Sequence, residues 1–243
     1  MIAGAPGAFK SALAINLLVG WARQGIYGLY FSADADEFTT AKRVAAVLTR
    51  NRVDQVEDDL RGENADAYKT VLGEVDHTRW IYKAADIQEI DRHMRAFDAV
   101  YGCFPQIVFV DNLLNMTGNG GDGDGNEWTE ARDFIKNLDV LAREAECHVC
   151  VLHHCSESEW RKGLPPPRSA VMGKIAQFPR LMLTVAPSPE NMTLNVACVK
   201  NTNGPQDPSG DTYTGLNLDP SRMLITDSGL FTGDGFFESS DRL

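Results

Sequence analysis

Eight residues near the amino terminus, GAPGAFKS from Gly4 to Ser11, have the types and spacing of a phosphate-binding loop. The pattern G-x-x-x-x-G-K-[ST] is met at Gly4, Lys10 and Ser11, with Phe9 where the second glycine belongs. The stretch Gly4, Ala5, Pro6, Gly7, Ala8, Phe9, Lys10, Ser11 and Ala12 would wrap the phosphates of ATP with backbone N–H groups, aided by the positive end of the helix that follows. Lys10 would reach the β- and γ-phosphates and Ser11 would hold Mg²⁺. Gly7 lets the backbone turn sharply. Phe9 must take the conformation glycine would have had, at about 1–2 kcal/mol if its φ is positive. A glycine-rich turn before a buried helix is the plainer alternative.

Other stretches carry possible chemistry. Asp111 closes the apolar run QIVFV, where an aspartate either caps a helix or binds a metal. The string CHVCVLHHC, from Cys147 to Cys155, suggests zinc, but it reads as a strand. Cys147, His153 and Cys155 would then face one way and His148, Cys150 and His154 the other, so four ligands do not converge. Gly118–Gly125 (GNGGDGDG) is acidic and glycine-rich. Ser156–Arg168 (SESEWRKGLPPPR) sets Arg161, Lys162 and Arg168 beside Trp160.

The elements that must position these residues alternate. Ala12–Arg23 is apolar nearly all round, as expected of a helix packed on a sheet, and Gly25 can stop it. Ile26–Ser32 and Gln106–Val110 read as buried strands, Cys147–His154 as a third, and Thr78–Tyr82 as a short fourth. Helical spacing recurs at Ala41, Val44, Ala45 and Leu48, at Ile87, Ile90, Met94, Phe97 and Val100, and most clearly from Trp128 to Leu141. Residues 54–67 are charged and read as a surface connection with some helix. After Phe178, strands such as Leu181–Ala186 and Thr193–Val199 follow without helices between them. The reading is an α/β fold, a mainly parallel sheet flanked by helices and closed by antiparallel C-terminal strands. Both mobile-looking loops follow parallel strands at their carboxyl ends, the edge where such sheets place ligands. Only Met1–Ala3 precede the phosphate loop, so its leading strand is very short or begins upstream of this sequence.

The 243 residues, 43% hydrophobic, suit one core and a single domain over 1–243. A net charge of −11 and a pI near 4.9 argue against a generic electrostatic nucleic-acid binder but leave room for a local basic patch. No apolar run is long enough for a membrane span, and five cysteines without secretory context suit a reduced, cytoplasmic compartment.

Four segments in order, GAPGAFKS, YFSADADE, VFVDNL and VKNTNGP, resemble the RecA-like ATPase core of DnaB-type replicative helicases, particularly phage-encoded relatives. The helicase N-terminal domain has no counterpart in this chain. The resemblance implies a Mg²⁺-dependent ATP hydrolase acting on single-stranded or forked DNA, in replication or recombination, as a homo-oligomeric ring or filament in the host cytoplasm. It makes Asp111 the Mg²⁺-side aspartate and puts Asp34 where the family has a water-activating glutamate. Aspartate is a methylene shorter, and Asp36 or Glu37 could stand in, although Asp36 could equally cap a helix. His154 falls at a γ-phosphate sensor position. Lys200 matches a lysine that reaches into a neighbour's site, while Thr202 occupies the position of the family's arginine finger, which predicts slow hydrolysis. DNA contacts fall to Arg161, Lys162, Arg168 and Lys174, with Trp160 either stacking on a base or pinning its loop. Two rival readings are a Mg²⁺-dependent nuclease using Asp122, Asp124 and Glu127, and a non-catalytic nucleotide-gated module with Phe9 and Thr202 as signs of decay.

Overall fold

The computed structural model describes residues 1–62, 64–116, 127–159 and 161–227. Its strands are β1 (Ile2–Gly4), β2 (Gly28–Ser32), β3 (Thr78–Ile81), β4 (Ile107–Asp111), β5 (His148–His154), β6 (Leu181–Ser188), β7 (Thr193–Asn201), β8 (Thr214–Asp219) and β9 (Leu224–Thr226). Its α-helices are α1 (Lys10–Ala22), α2 (Glu37–Thr49), α3 (Val53–Arg61), α4 (Ala65–Leu72), α5 (Ile87–Tyr101), α6 (Leu113–Met116) and α7 (Glu127–Glu144). Short 3₁₀ turns lie between β5 and β6, among them Met172–Gln177.

The strands form one sheet in the order β3-β2-β4-β5-β1-β6-β7-β8-β9. Pairing is parallel from β3 through β6 and antiparallel from β6 to β9. The continuously apolar strands are the central ones, and each feeds both faces by alternation. Leu29, Phe31, Val108, Val110 and Val151 pack toward Ile90, Met94 and Phe97 of α5 and Ala131, Phe134 and Leu138 of α7. Tyr30, Phe109, Cys150 and Leu152 pack the other way, toward Leu13, Leu18 and Val19 of α1 and Val44, Val47 and Leu48 of α2. Replacing a fully buried Phe109 by alanine would cost about 3–5 kcal/mol.

Helix boundaries follow capping chemistry. Asp36 accepts from the Thr39 N–H at 2.7 Å and Asp86 from the Glu89 N–H at 2.7 Å, so each opens its helix. Gly102, at φ 73°, closes α5. The charged stretch after Arg50 holds two helices, α3 and α4, anchored through Val56 and Tyr68 to Ala45 and Ala46 of α2. Among the described residues no helix is long and apolar enough to cross a membrane.

Candidate nucleotide site

Four parallel strand ends build the site. Gly4 lies level with His154 on the neighbouring β5, and Ser32 is level with Asp111. Asp34 follows β2 directly, and the Ala33 N–H donates to the Asp111 carbonyl at 2.9 Å. The 4–11 loop, Asp34, Asp111 and His154 therefore meet at one edge of the sheet.

The loop owes its course to two glycines. A Cβ on Gly4 would meet the Val185 carbonyl of β6 at 2.8 Å, so only glycine lets the strands come this close. Gly7 turns at φ 75°. The Ala8 N–H closes a turn on the Ala5 carbonyl at 3.1 Å. Phe9 takes the left-handed conformation, φ 59° and ψ 25°, immediately before α1. Its ring packs against the cluster beneath α1, which offsets part of the backbone strain.

Lys10 is buried and donates from Nζ to the carbonyls of Gly4 at 3.1 Å and Ala5 at 2.8 Å. Burial lowers its pKa, opposed by the attraction of Cys155, Asp111 and Asp34. The Cys155 thiol is itself pushed up to about 12 by burial and is neutral at ordinary pH, so the two carboxylates supply the negative charge. Ser11 lies in the first turn of α1, half-buried.

Asp111 is buried, and the Tyr30 hydroxyl donates to its Oδ2 at 2.7 Å. Burial raises the Tyr30 phenol well above its usual range, and the Asp111 charge adds to this, so the phenol stays a donor. Asp111 caps no helix; the neighbouring Asn112 side chain takes that place at α6, accepting from the Asn115 N–H at 3.4 Å.

Asp34 is exposed, but its carboxylate is held. Asn112 Nδ2 donates to Oδ2 at 2.8 Å, and Asn115 Nδ2 donates to Oδ1. Asp36 is committed to capping α2, which leaves Asp34 as the better-placed carboxylate. His154 is half-buried, with Nδ1 unpartnered. Burial and the Lys10 charge both lower its pKa, so it stands as a neutral imidazole beside the loop lysine.

The remaining sequence candidates lie elsewhere. Lys200 pairs with Met182 on β6, three residues below Val185, which packs on Gly4. That is about 10 Å down the strands from its own phosphate loop. Its Nζ donates to the carbonyls of Ala176 at 3.1 Å and Gln177 at 2.6 Å. Burial, with Arg168 nearby, lowers its pKa. Thr202 donates its hydroxyl to the Arg180 carbonyl at 2.9 Å.

Arg161 is a clamp. It donates to the Pro165 carbonyl at 2.5 Å and the Ser209 carbonyl at 2.9 Å, and pairs with Asp211 at 2.5 Å. Lys162 pairs with Glu190 on the surface. Arg168 opens a 3₁₀ turn, and its backbone N–H donates to the Pro208 carbonyl at 2.9 Å. Lys174 is exposed, in the left-handed region at φ 54°. Trp160, Asp122 and Asp124 lie outside the described residues, as does the side chain of Glu127. In the cysteine–histidine string, Val151 and Cys155 face the α5–α7 side while Cys150 and Leu152 face α1. No group of three or more His, Cys, Asp or Glu side chains among the described residues is placed to hold a metal ion.

Tyr30, Asn112 and Asn115 escaped the sequence reading. A signal existed for Tyr30: a tyrosine inside a buried strand must find a partner for its hydroxyl. The asparagines had none, because their role depends on which loop β2 brings alongside β4.

The family described as an AAA domain matches residues 1–159. Gene 65 protein of Mycobacterium phage L5 is 30% identical over 234 residues, covering 94% of this chain and 85% of its own. Gene 65 protein of Mycobacterium phage D29 is 29% identical over 233 residues, covering 93% and 98%. Among solved structures, a separately solved ATPase domain is similar in fold with a TM-score of 0.78 at 16% identity, over 93% of this chain and 83% of that one. A DnaB-like replicative helicase, solved in a study of its interactions with primase, gives 0.77 at 16% identity; the match covers 93% of this chain and 56% of that one.

Proposed function

This chain belongs to the AAA domain family and is an ATP-hydrolysing P-loop enzyme with a RecA-like core, and from that premise we propose that it is a DNA-dependent motor of helicase or recombination type. The observation that carries the reading is the convergence of the 4–11 loop, Asp34, Asp111 and His154 at one sheet edge. Ser11 and Asp111 supply a hydroxyl and a carboxylate, the hard oxygen donors that suit Mg²⁺ alongside substrate phosphates. Mg²⁺, when bound there, neutralises charge on the β- and γ-phosphate oxygens. Lys10 shares that work, Asp34 orients and deprotonates the attacking water, and His154 meets a γ-phosphate oxygen with its unpartnered nitrogen.

Lys200 serves the ATP of a neighbouring copy in a ring or filament, a role supported by its distance from its own loop. Lys162, Arg168, Lys174 and Trp160 face single-stranded or forked DNA; Arg161 shapes that surface from within its clamp. The setting is phage DNA replication or recombination in the host cytoplasm. The deciding experiment is ATP turnover with and without single-stranded DNA, using Lys10→Ala as control. Turnover that rises with DNA and vanishes in the variant is expected; turnover indifferent to DNA would sink the motor, and undiminished turnover in folded Lys10→Ala would sink the site.

A further inference from the structure

Tyr30 is chain-specific chemistry in an otherwise apolar strand. On β2 it pairs with Phe109 of β4, and alternation puts Phe109 and Asp111 on the same face. The ring therefore passes over Phe109 and delivers its hydroxyl to Asp111 Oδ2 at 2.7 Å. Trp80 and Phe109, with ring centroids 5.0 and 5.7 Å away, wedge it in place. Tyr30 is 2% exposed and Asp111 8%, so water does not compete for either group. Among the described residues nothing else donates to this carboxylate, and Oδ1 is left for the site.

We infer that Tyr30 is a positioning residue for the metal-side carboxylate: its buried hydroxyl fixes the Asp111 plane and reserves Oδ1 for Mg²⁺. A partner held this rigidly orients a ligand before the metal arrives, and loss of such outer partners weakens metal binding. The inference rests on Asp111 being the Mg²⁺-side residue, as proposed above.

Tyr30→Phe keeps the wedged ring and deletes only the hydroxyl. The readout is binding, not turnover: fluorescence of an N-methylanthraniloyl-ADP probe, first in EDTA and then titrated with MgCl₂. The expected result is unchanged metal-free affinity with the Mg²⁺ half-saturation point raised about tenfold or more. Asp111→Asn should abolish the Mg²⁺ effect, and adding Tyr30→Phe to it should change nothing further. An unchanged half-saturation point in Tyr30→Phe overturns the inference, as does a parallel fall in metal-free affinity, which marks a merely structural role. If Asp111→Asn keeps the full Mg²⁺ effect, the assignment of Asp111 itself has failed, and the inference with it. Should Tyr30→Phe not fold, 3,5-difluorotyrosine at position 30 alters the donor and keeps the ring. A shifted Mg²⁺ half-saturation with constant metal-free affinity then supports the inference, and constancy of both overturns it.

Discussion

Asn112 donates its side-chain amide to Asp34 across the gap between two strand ends, at 2.8 Å from Oδ2. Asn115 takes the other oxygen. A carboxylate with both oxygens engaged cannot swing, which compensates for a side chain one methylene shorter than glutamate. Asp34→Asn should lower turnover about 10²–10⁴-fold, the range of a lost general base, while sparing ATP affinity. Asn112→Ala should lower it about tenfold, as one hydrogen bond to a charged group is lost. Full turnover in Asp34→Asn would remove it from the chemistry.

Phe9 sets two terms against each other. Glycine at this position relieves left-handed strain of about 1–2 kcal/mol but gives up a partly buried ring of similar worth. Phe9→Gly should therefore leave stability nearly unchanged and preserve or improve ATP affinity. Phe9→Ala loses the ring and keeps the strain, so it should melt lower than both. If Phe9→Gly lost affinity heavily while melting like wild type, the ring would have a part in nucleotide binding itself.

His153 is fully buried beneath Trp128, with its Nε2 near the Met172 carbonyl at 3.2 Å. Burial holds its pKa at about 4, against an unfolded value near 6.5. A depressed folded value means the unfolded chain binds the extra proton first. The stability tied to the neutral ring is present in full above about pH 6.5 and is lost as pH falls toward 4. At pH 5 the loss amounts to about 2 kcal/mol. Chemical denaturation at pH 7 and pH 5 should show a smaller drop for His153→Gln than for wild type; equal drops would place the acid sensitivity elsewhere.

Lys200 should act between copies. Lys200→Ala should reduce turnover with and without DNA while ATP affinity stays largely intact, because a finger works on transition-state charge. Mixtures with wild type should then lose activity non-linearly with composition, provided subunits exchange. A proportional decline with exchange confirmed would mean that each copy works alone.

The legible parts of the molecule were those whose signal is local. The phosphate loop, the apolar strands β2, β4 and β5, and the strongly periodic α5 and α7 can be read without knowing their neighbours. The α3 and α4 helices were only half-legible, since a few residues such as Val56 and Tyr68 tie so charged a stretch to the core. Asp34, Asp111 and His154 each sit at or just beyond a strand end and were found. What was hidden is relational. The grip of Tyr30 on Asp111, and of Asn112 on Asp34, exists because β2 lies beside β4 in one register. A shift of a single residue would turn each of these side chains to the opposite face.

The Arg161 clamp has a mechanical consequence. By gripping the Ser209 carbonyl and Asp211, it fastens the segment that begins at Arg161 to the connection leaving β7. The Arg168 N–H adds a second rivet at Pro208. That connection starts just past Lys200, whose ammonium is in turn anchored on the Ala176 and Gln177 carbonyls. Tension applied to the basic segment is thus carried along a short, stiff load path to Lys200.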